Sequence, residues 1–304
     1  MSDAGAVAPM RIEAPGPVRG IAVVDGGKRV TARLAGPRLV SWSCADGRLL
    51  TDVTYRGPAV TAGALSAAGD RLAVGTGDGG VRVLDASTLA VVAEMRRAPS
   101  PRGAFAFSAD GALLAGFAQD SHLELMVWKV DTGAPLVSFV DRAQEAGGIA
   151  FHPTGRSAAI AVLTGDVLLL DLASGRPTRT LSDGRMASEA LAFSPDGSAL
   201  VAASFDAVLL AWDTGRWGVR RLEGLRGANG LALSPDGARA AVSRTSYNPP
   251  DTPAEARLVD LATGRVLASQ QLGLASTAAM AFVGPGRARV AAARGTSIAL
   301  WEIR

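Results

Sequence analysis

The chain is written in short apolar runs, broken at close intervals by turns rich in glycine, aspartate and serine. Runs of that length between such turns predict β-strands. Residues 191–213 are the clearest stretch. Leu191-Ala192-Phe193 leads into the turn Ser194-Pro195-Asp196-Gly197, then a second and a third apolar run follow, and the stretch ends on Trp212-Asp213. The same order recurs along almost the whole chain. Gly197 has counterparts at Gly27, Gly69, Gly111, Gly155, Gly237 and Gly286. The runs before these turns share a middle alanine: Ala22, Ala64, Ala106, Ala150, Ala192, Ala232 and Ala281. A position that is small in every copy predicts close approach of neighbouring copies, as where strands crowd around an axis.

A second anchor is Trp212-Asp213, with counterparts at Trp42-Ser43, Leu84-Asp85, Trp128-Lys129, Leu170-Asp171, Val259-Asp260 and Trp301-Glu302. Most steps between successive anchors are 40 to 44 residues, longer only where a loop is inserted. Four short strands at that period are the signature of a β-propeller. The fold class expected is therefore all-β: a seven-bladed β-propeller of four-stranded antiparallel blades. The last copy stops at its third strand, and residues 9–13 are the segment left over to complete it, so an N-terminal strand is expected to close the ring and remove its exposed edge. One domain is expected over residues 1–304, with residues 1–8 as a flexible tail.

On the Ser194-Pro195-Asp196-Gly197 turn and the Trp212-Asp213 pair, the chain resembles the WD40-repeat family, over essentially everything from Arg11 onward. The resemblance implies a rigid, non-catalytic platform that binds proteins or peptides on one face. It departs from the family in lacking the Gly-His dipeptide before each repeat. The only histidines, His122 and His152, do not precede inner strands. The family's Asp-His-Ser-Trp network is therefore not carried over, although Asp78 matches its turn aspartate.

Composition narrows the classes. No run of 18 apolar residues suggests a membrane span, and the first residues do not read as a secretory signal. Cys44 is the single cysteine, which excludes an internal disulfide or a cysteine-based metal site. A cytoplasmic, monomeric protein is expected. Lys28 and Lys129 are the only lysines, and the excess of arginine, alanine and glycine suggests a high-GC bacterial genome. The formal charge of +3 shows no basic stripe of the kind nucleic-acid binders carry. Neither nucleic acid nor a membrane is expected as a partner, and no cofactor, metal or catalytic residue is assigned.

In a propeller the loops between copies, and the turns between second and third strands, share one face, here called the top. Loops carry function more often than the strands that position them. Arg19, Arg56, Arg96, Arg97, Arg102, Arg142, Arg185 and Arg226 lie in the loops entering the inner strands. They suit acidic peptides or phosphate, but Glu13, Asp141, Glu145, Asp183, Glu189 and Glu223 share those loops, and solvated arginines are the more economical reading. The residue just outside each inner strand is expected at the channel mouth: Arg19, Thr61, Gly103, Gly147, Glu189, Asn229 and Ala278. The sixth copy carries an insertion, residues 244–255, holding Tyr247 and three prolines. It is either a binding loop or a tolerated surface insertion. The binding set expected on the top face and channel mouth is Arg19, Thr61, Arg102, Glu189, Asn229 and Tyr247.

Three tempting motifs are set aside. Residues 75–80 spell G-x-G-x-x-G, but a strand follows where the dinucleotide motif needs a helix, so they are read as a hairpin. His122 with Ser121 reads as a solvated turn, and His152 stands on the opposite face. Trp217 is expected to pack beside an outer-strand turn. Two functional classes stay open: a protein- or peptide-binding scaffold, and an enzyme of a bacterial biosynthetic pathway (lyase, cyclase or hydrolase) with a small-molecule site at the channel mouth. A small-ligand sensor is a weaker third.

Overall fold

The computed structural model describes residues 9–36, 38–58, 60–95, 105–119, 123–141, 146–182, 188–204, 208–223, 228–244, 253–273, 275, 277–282 and 287–303; within them, the side chains of residues 61, 62, 118, 119, 123, 146, 188, 189, 208, 223 and 277 lie outside that description. The described residues contain strands and turns and no helix. Seven four-stranded antiparallel sheets form seven blades. Their inner strands are Val18–Val24, Val60–Leu65, Phe105–Phe107, Ala146–Phe151, Ser188–Phe193, Gly230–Leu233 and Thr277–Phe282.

The strand patterns follow from position in the blade. Second and third strands are covered on both faces by neighbouring blades, so they read as continuous apolar runs. Ser157–Val162 and Val167–Asp171 are buried along almost their whole length. Fourth strands lie at the rim and alternate, as in Val266–Gly273. The residue at each Trp-Asp position is buried: Trp42, Leu84, Trp128, Leu170, Trp212, Val259 and Trp301. Each such side chain contributes roughly 1.5–3 kcal/mol by leaving water.

At three of the blade junctions the inner-strand alanine has a physical reason. Blades pack small against large at the axis. Ala106 of the third blade shares a cluster with Ile149 of the fourth, Ala232 of the sixth with Met280 of the seventh, and Ala281 of the seventh with Ile21 of the first.

The ring closes as the register predicts. Met10–Glu13 pairs antiparallel with Ser297–Ile303, setting Ile12 opposite Ile298. Ile12 and Ile298 are buried in one cluster with Trp42 of the first blade. Arg289 of the seventh blade also donates a hydrogen bond to the Gly27 carbonyl of the first, across the same seam.

The bottom turns are built alike. In Ser108, Ser194 and Ser234 the buried hydroxyl donates to the aspartate two residues on (2.6, 2.6 and 2.5 Å) and accepts the backbone N–H five residues on (2.9 Å in each). Ser66 reaches Asp70 instead, at 2.8 Å. His152 takes the serine's place in the fourth blade, its Nδ1 within 2.8 Å of the Thr154 hydroxyl. The turn glycines have positive φ, among them Gly155 and Gly197, a conformation that costs a side-chain-bearing residue 1–2 kcal/mol by rough reckoning.

One turn departs from its look-alikes in sequence. Thr214-Gly215 in the fifth blade looks like Thr132-Gly133 and Thr263-Gly264. In those two turns the glycine is left-handed, but in the fifth blade the left-handed residue is Trp217, at φ 59°. The reason is the hydrogen bond that fixes the turn: the left-handed residue donates to the carbonyl four residues back, and Trp217 bonds Asp213 as Gly133 bonds Lys129. Trp217 is half-buried against the fourth and fifth blades, with the Arg179 guanidinium carbon 5.8 Å from its ring centroid. Its packing role is as expected.

Candidate functional site

The channel mouth is shaped by a repeated irregularity. The inner strands of the first, second, fourth and fifth blades each shift register by one residue near their start: between Val18 and Gly20, Val60 and Ala62, Ala146 and Gly148, and Ser188 and Ala190. The residues skipped are Arg19, Thr61, Gly147 and Glu189. They were expected just outside the strands and lie within them, at bulges. A bulge leaves its extra residue unpaired and bends the strand locally. Arg19 is exposed. Asn229 immediately precedes its strand, is exposed, and donates its backbone N–H to the Ser243 carbonyl. Ala278 pairs regularly with Ala292. Arg102, Tyr247, His122 and most of the sixth-blade insertion lie outside the described residues, as do the side chains of Thr61 and Glu189.

The base of that insertion is described. Glu255, 8% exposed, takes Arg257 Nε at 2.7 Å and lies 3.7 Å from Arg244 Nη2. The two strands flanking the insertion are thus tied by one buried carboxylate between two guanidiniums.

Residues 75–80 form the hairpin read from the sequence, between Arg71–Thr76 and Val81–Asp85. Asp78 organises it. Arg82 and the Thr76 hydroxyl both bond its carboxylate, and the Gly80 N–H adds a third donor at 3.1 Å. The guanidinium, then the hydroxyl, hold this carboxyl far below the usual range. Arg82 also bonds Glu94 at 3.0 Å. The cluster thus ties the hairpin to itself through Asp78 and to the fourth strand of the blade through Glu94, and acts as a structural clip.

At the junction of the first and second blades a cleft of about 330 Å³ opens on the inner side, lined in part by Gly20, Ile21, Arg33, Leu39, Gly63 and Leu72. Arg33 is half-buried there, and its Nη2 reaches the Arg19 carbonyl at 3.5 Å. Burial first, then the charge of Arg19, lower its pKa. Sequence reasoning missed this residue. The signal available was internal: the equivalent positions of the other blades are Gly75, Phe117, Ala161, Ala203, Ser243 and Ala291.

On the opposite face, a cleft of about 500 Å³ between the second and third blades is lined by Asp70, Arg71, Asp110, Lys129 and Asp131 among others. Its charges are mixed, and Asp70 and Asp110 are committed to their turn serines. Among the described residues, no three histidine, cysteine or carboxylate groups are placed to share a metal ion. Cys44 is buried, and burial pushes its thiol up. Among the described residues, no helix is long and apolar enough to cross a membrane.

Two relatives are similar to parts of this chain. An uncharacterized WD repeat-containing protein of Synechocystis is 31% identical over 144 residues, 47% of this chain and 40% of its own length. The human echinoderm microtubule-associated protein-like 2 is 33% identical over 94 residues, 30% of this chain and 14% of its own. The chain thus spans less than half the length of the curated relatives it matches. The first of them agrees with the repeat resemblance read from the sequence, whereas the family model that matches carries a description other than WD40. That match runs over residues 6–270, through most of the ring, and places the chain in the PQQ_2 family, described as outer membrane protein assembly factor BamB.

Proposed function

We propose that the protein is a non-catalytic scaffold that binds a protein or peptide on the top face of a WD40-like propeller. The observation carrying this reading is the set of four bulges at equivalent places in the inner strands. Bulges are features that re-aim side chains near functional sites, and here they recur on a rigid ring. The binding set proposed is Arg19, Thr61, Arg102, Glu189, Asn229 and Tyr247. Two of the names support the same reading: a microtubule-associated protein-like protein and an assembly factor are named for work with other proteins. A monomer in the cytoplasm completes the proposal. The family description names an outer-membrane setting, so fractionation of the native cells is the direct check on location.

The test is a pull-down from native cell extract with the wild type and with the double variant Glu189→Ala, Tyr247→Ala, followed by cross-linking of the captured partner. A partner held by the wild type, lost from the variant and cross-linked to top-face residues supports the reading. Equal capture by both, or cross-links confined to the opposite face, sinks it.

A further inference from the structure

Six of the seven blades begin the inner triplet with a large apolar residue: Ile21, Phe105, Ile149, Leu191, Leu231 and Met280. The second blade has Gly63. A Cβ added there would stand 3.2 Å from the Ala73 carbonyl oxygen, 3.8 Å from Leu72 Cδ1 and 4.0 Å from Arg33 Cδ. The missing side chain is what opens the cleft between the first two blades, and the stem of Arg33 borders the vacated space. Two departures from the repeat thus coincide: a large residue lost on one blade, and a charge gained on the blade facing it.

Among the described residues that charge has no acidic partner. Among the described residues, neither Arg33 nor Arg19 forms an ion pair, and the hydrogen bond between them brings the Arg33 guanidinium to the Arg19 carbonyl. Removing a guanidinium from water without a counter-charge is costly, and a second arginine nearby adds to the cost. A repeat that puts glycine, alanine, serine or phenylalanine at the same position elsewhere has cheaper solutions to the packing problem.

We propose that this cleft is a carboxylate-binding site, in which the Arg33 guanidinium, seconded by Arg19, holds the carboxylate and Ile21, Leu39, Leu65 and Leu72 receive the aliphatic part of the same ligand. A guanidinium presents parallel donors that match a carboxylate. The cleft volume of about 330 Å³ is at the small end for ligand sites, roughly 300–1,000 Å³. It suits one acidic group with a short branched tail. Such a group can belong to a free small acid or to an acidic residue of a polypeptide.

The test is calorimetric titration of the full chain at low ionic strength with isovalerate, its neutral isostere isovaleramide, and a capped leucyl-glutamate dipeptide with its glutamine counterpart. The expected result is saturable binding of the acids in the millimolar range by order of magnitude, with no binding of the amides. Arg33→Gln is expected to weaken the acids about tenfold or more, and Gly63→Leu to abolish binding by filling the cleft. Tighter binding of the dipeptide than of isovalerate identifies a polypeptide source, and binding of isovalerate alone a free acid; both support the site. Equal binding of acid and amide, no saturable binding of either acid, or isovalerate binding unchanged in Arg33→Gln overturns it. Should Arg33→Gln not fold, Gly63→Leu and the amide comparison decide. The site does not depend on the scaffold reading: isovalerate binding with a failed pull-down leaves it standing alone.

Discussion

Arg33 of the first blade and Gly63 of the second face each other across the blade junction: a side chain on Gly63 would start 4.0 Å from the Arg33 stem and 3.2 Å from the Ala73 carbonyl oxygen. Gly63→Leu alone is therefore expected to destabilise by about 1–3 kcal/mol through overpacking. Arg33→Ala in the same chain should recover the part of that loss that comes from crowding the Arg33 stem, while the approach to the Ala73 carbonyl remains. Urea midpoints at constant m value measure both, and a double-mutant cycle gives the coupling. Additive effects would mean that the two residues do not share space.

Closure rests on four residues of the N-terminal strand, of which Ile12 is buried beside Ile298. Ile12→Ala should cost about 2–4 kcal/mol, and deletion of residues 1–16 should lower the melting temperature more than the point change. An unchanged melting temperature after deletion would contradict the closure.

The turn aspartates make the ring acid-sensitive. The Ser194 hydroxyl, with the Ser198 N–H, holds Asp196 at about 2, and the Ser87 hydroxyl with neighbouring N–H groups holds Asp85 at about 2. Asp110 and Asp236 are lowered by the same kind of contact. A carboxylate depressed in the folded state stabilises fully above its unfolded pKa, about 3.9, and that contribution is lost as pH falls toward 2. Stability from these groups should be flat between pH 5 and 8 by this reckoning and fall below pH ~4. Ser194→Ala should cost about 1–3 kcal/mol by leaving the Ala199 N–H unpaired and should flatten the acid limb. Chemical denaturation across pH checks both.

Trp217 offers an inverted glycine–alanine order. Both Trp217→Ala and Trp217→Gly lose the packing on the fourth and fifth blades, but alanine keeps the cost of a left-handed backbone while glycine does not. The glycine variant should be the more stable by about 1 kcal/mol, read from urea midpoints. The opposite order would show that the turn relaxes out of the left-handed region.

Glu255→Gln should cost about 2 kcal/mol, less than the loss of a fully buried ion pair, because Arg257 keeps partial access to water. The loss should shrink as salt is added. A variant as stable as the wild type would remove the carboxylate from any part in anchoring the insertion.

What was legible in the chain was whatever repeats. Seven alanines, the serine turns and the leftover strand at residues 9–13 recur or are missing at a fixed period, so the architecture could be counted. The cleft was not legible in that way, because Arg33 and Gly63 meet across a blade junction rather than along a strand. The bulges at Arg19, Thr61 and Glu189 were placed one step out, since spacing alone does not distinguish a residue before a strand from one skipped within it. The left-handed backbone of Trp217 was not legible because the letters Thr214-Gly215 imitate the turns at Thr132-Gly133 and Thr263-Gly264, while the hydrogen bond to Asp213 sets the frame.

The weld between Met10–Glu13 and Ser297–Ile303 also orders events at the ribosome. The seventh blade needs Met10–Glu13 as well as Ser297–Ile303, so it cannot be completed until Ile303 has emerged from the exit tunnel. Until then the nascent protein is an open arc with unpaired strand edges, the condition under which β-rich chains meet one another. Slow synthesis or crowding of polysomes should therefore endanger this protein more than a bundle of the same length, and an early truncation should yield aggregates rather than a smaller ring.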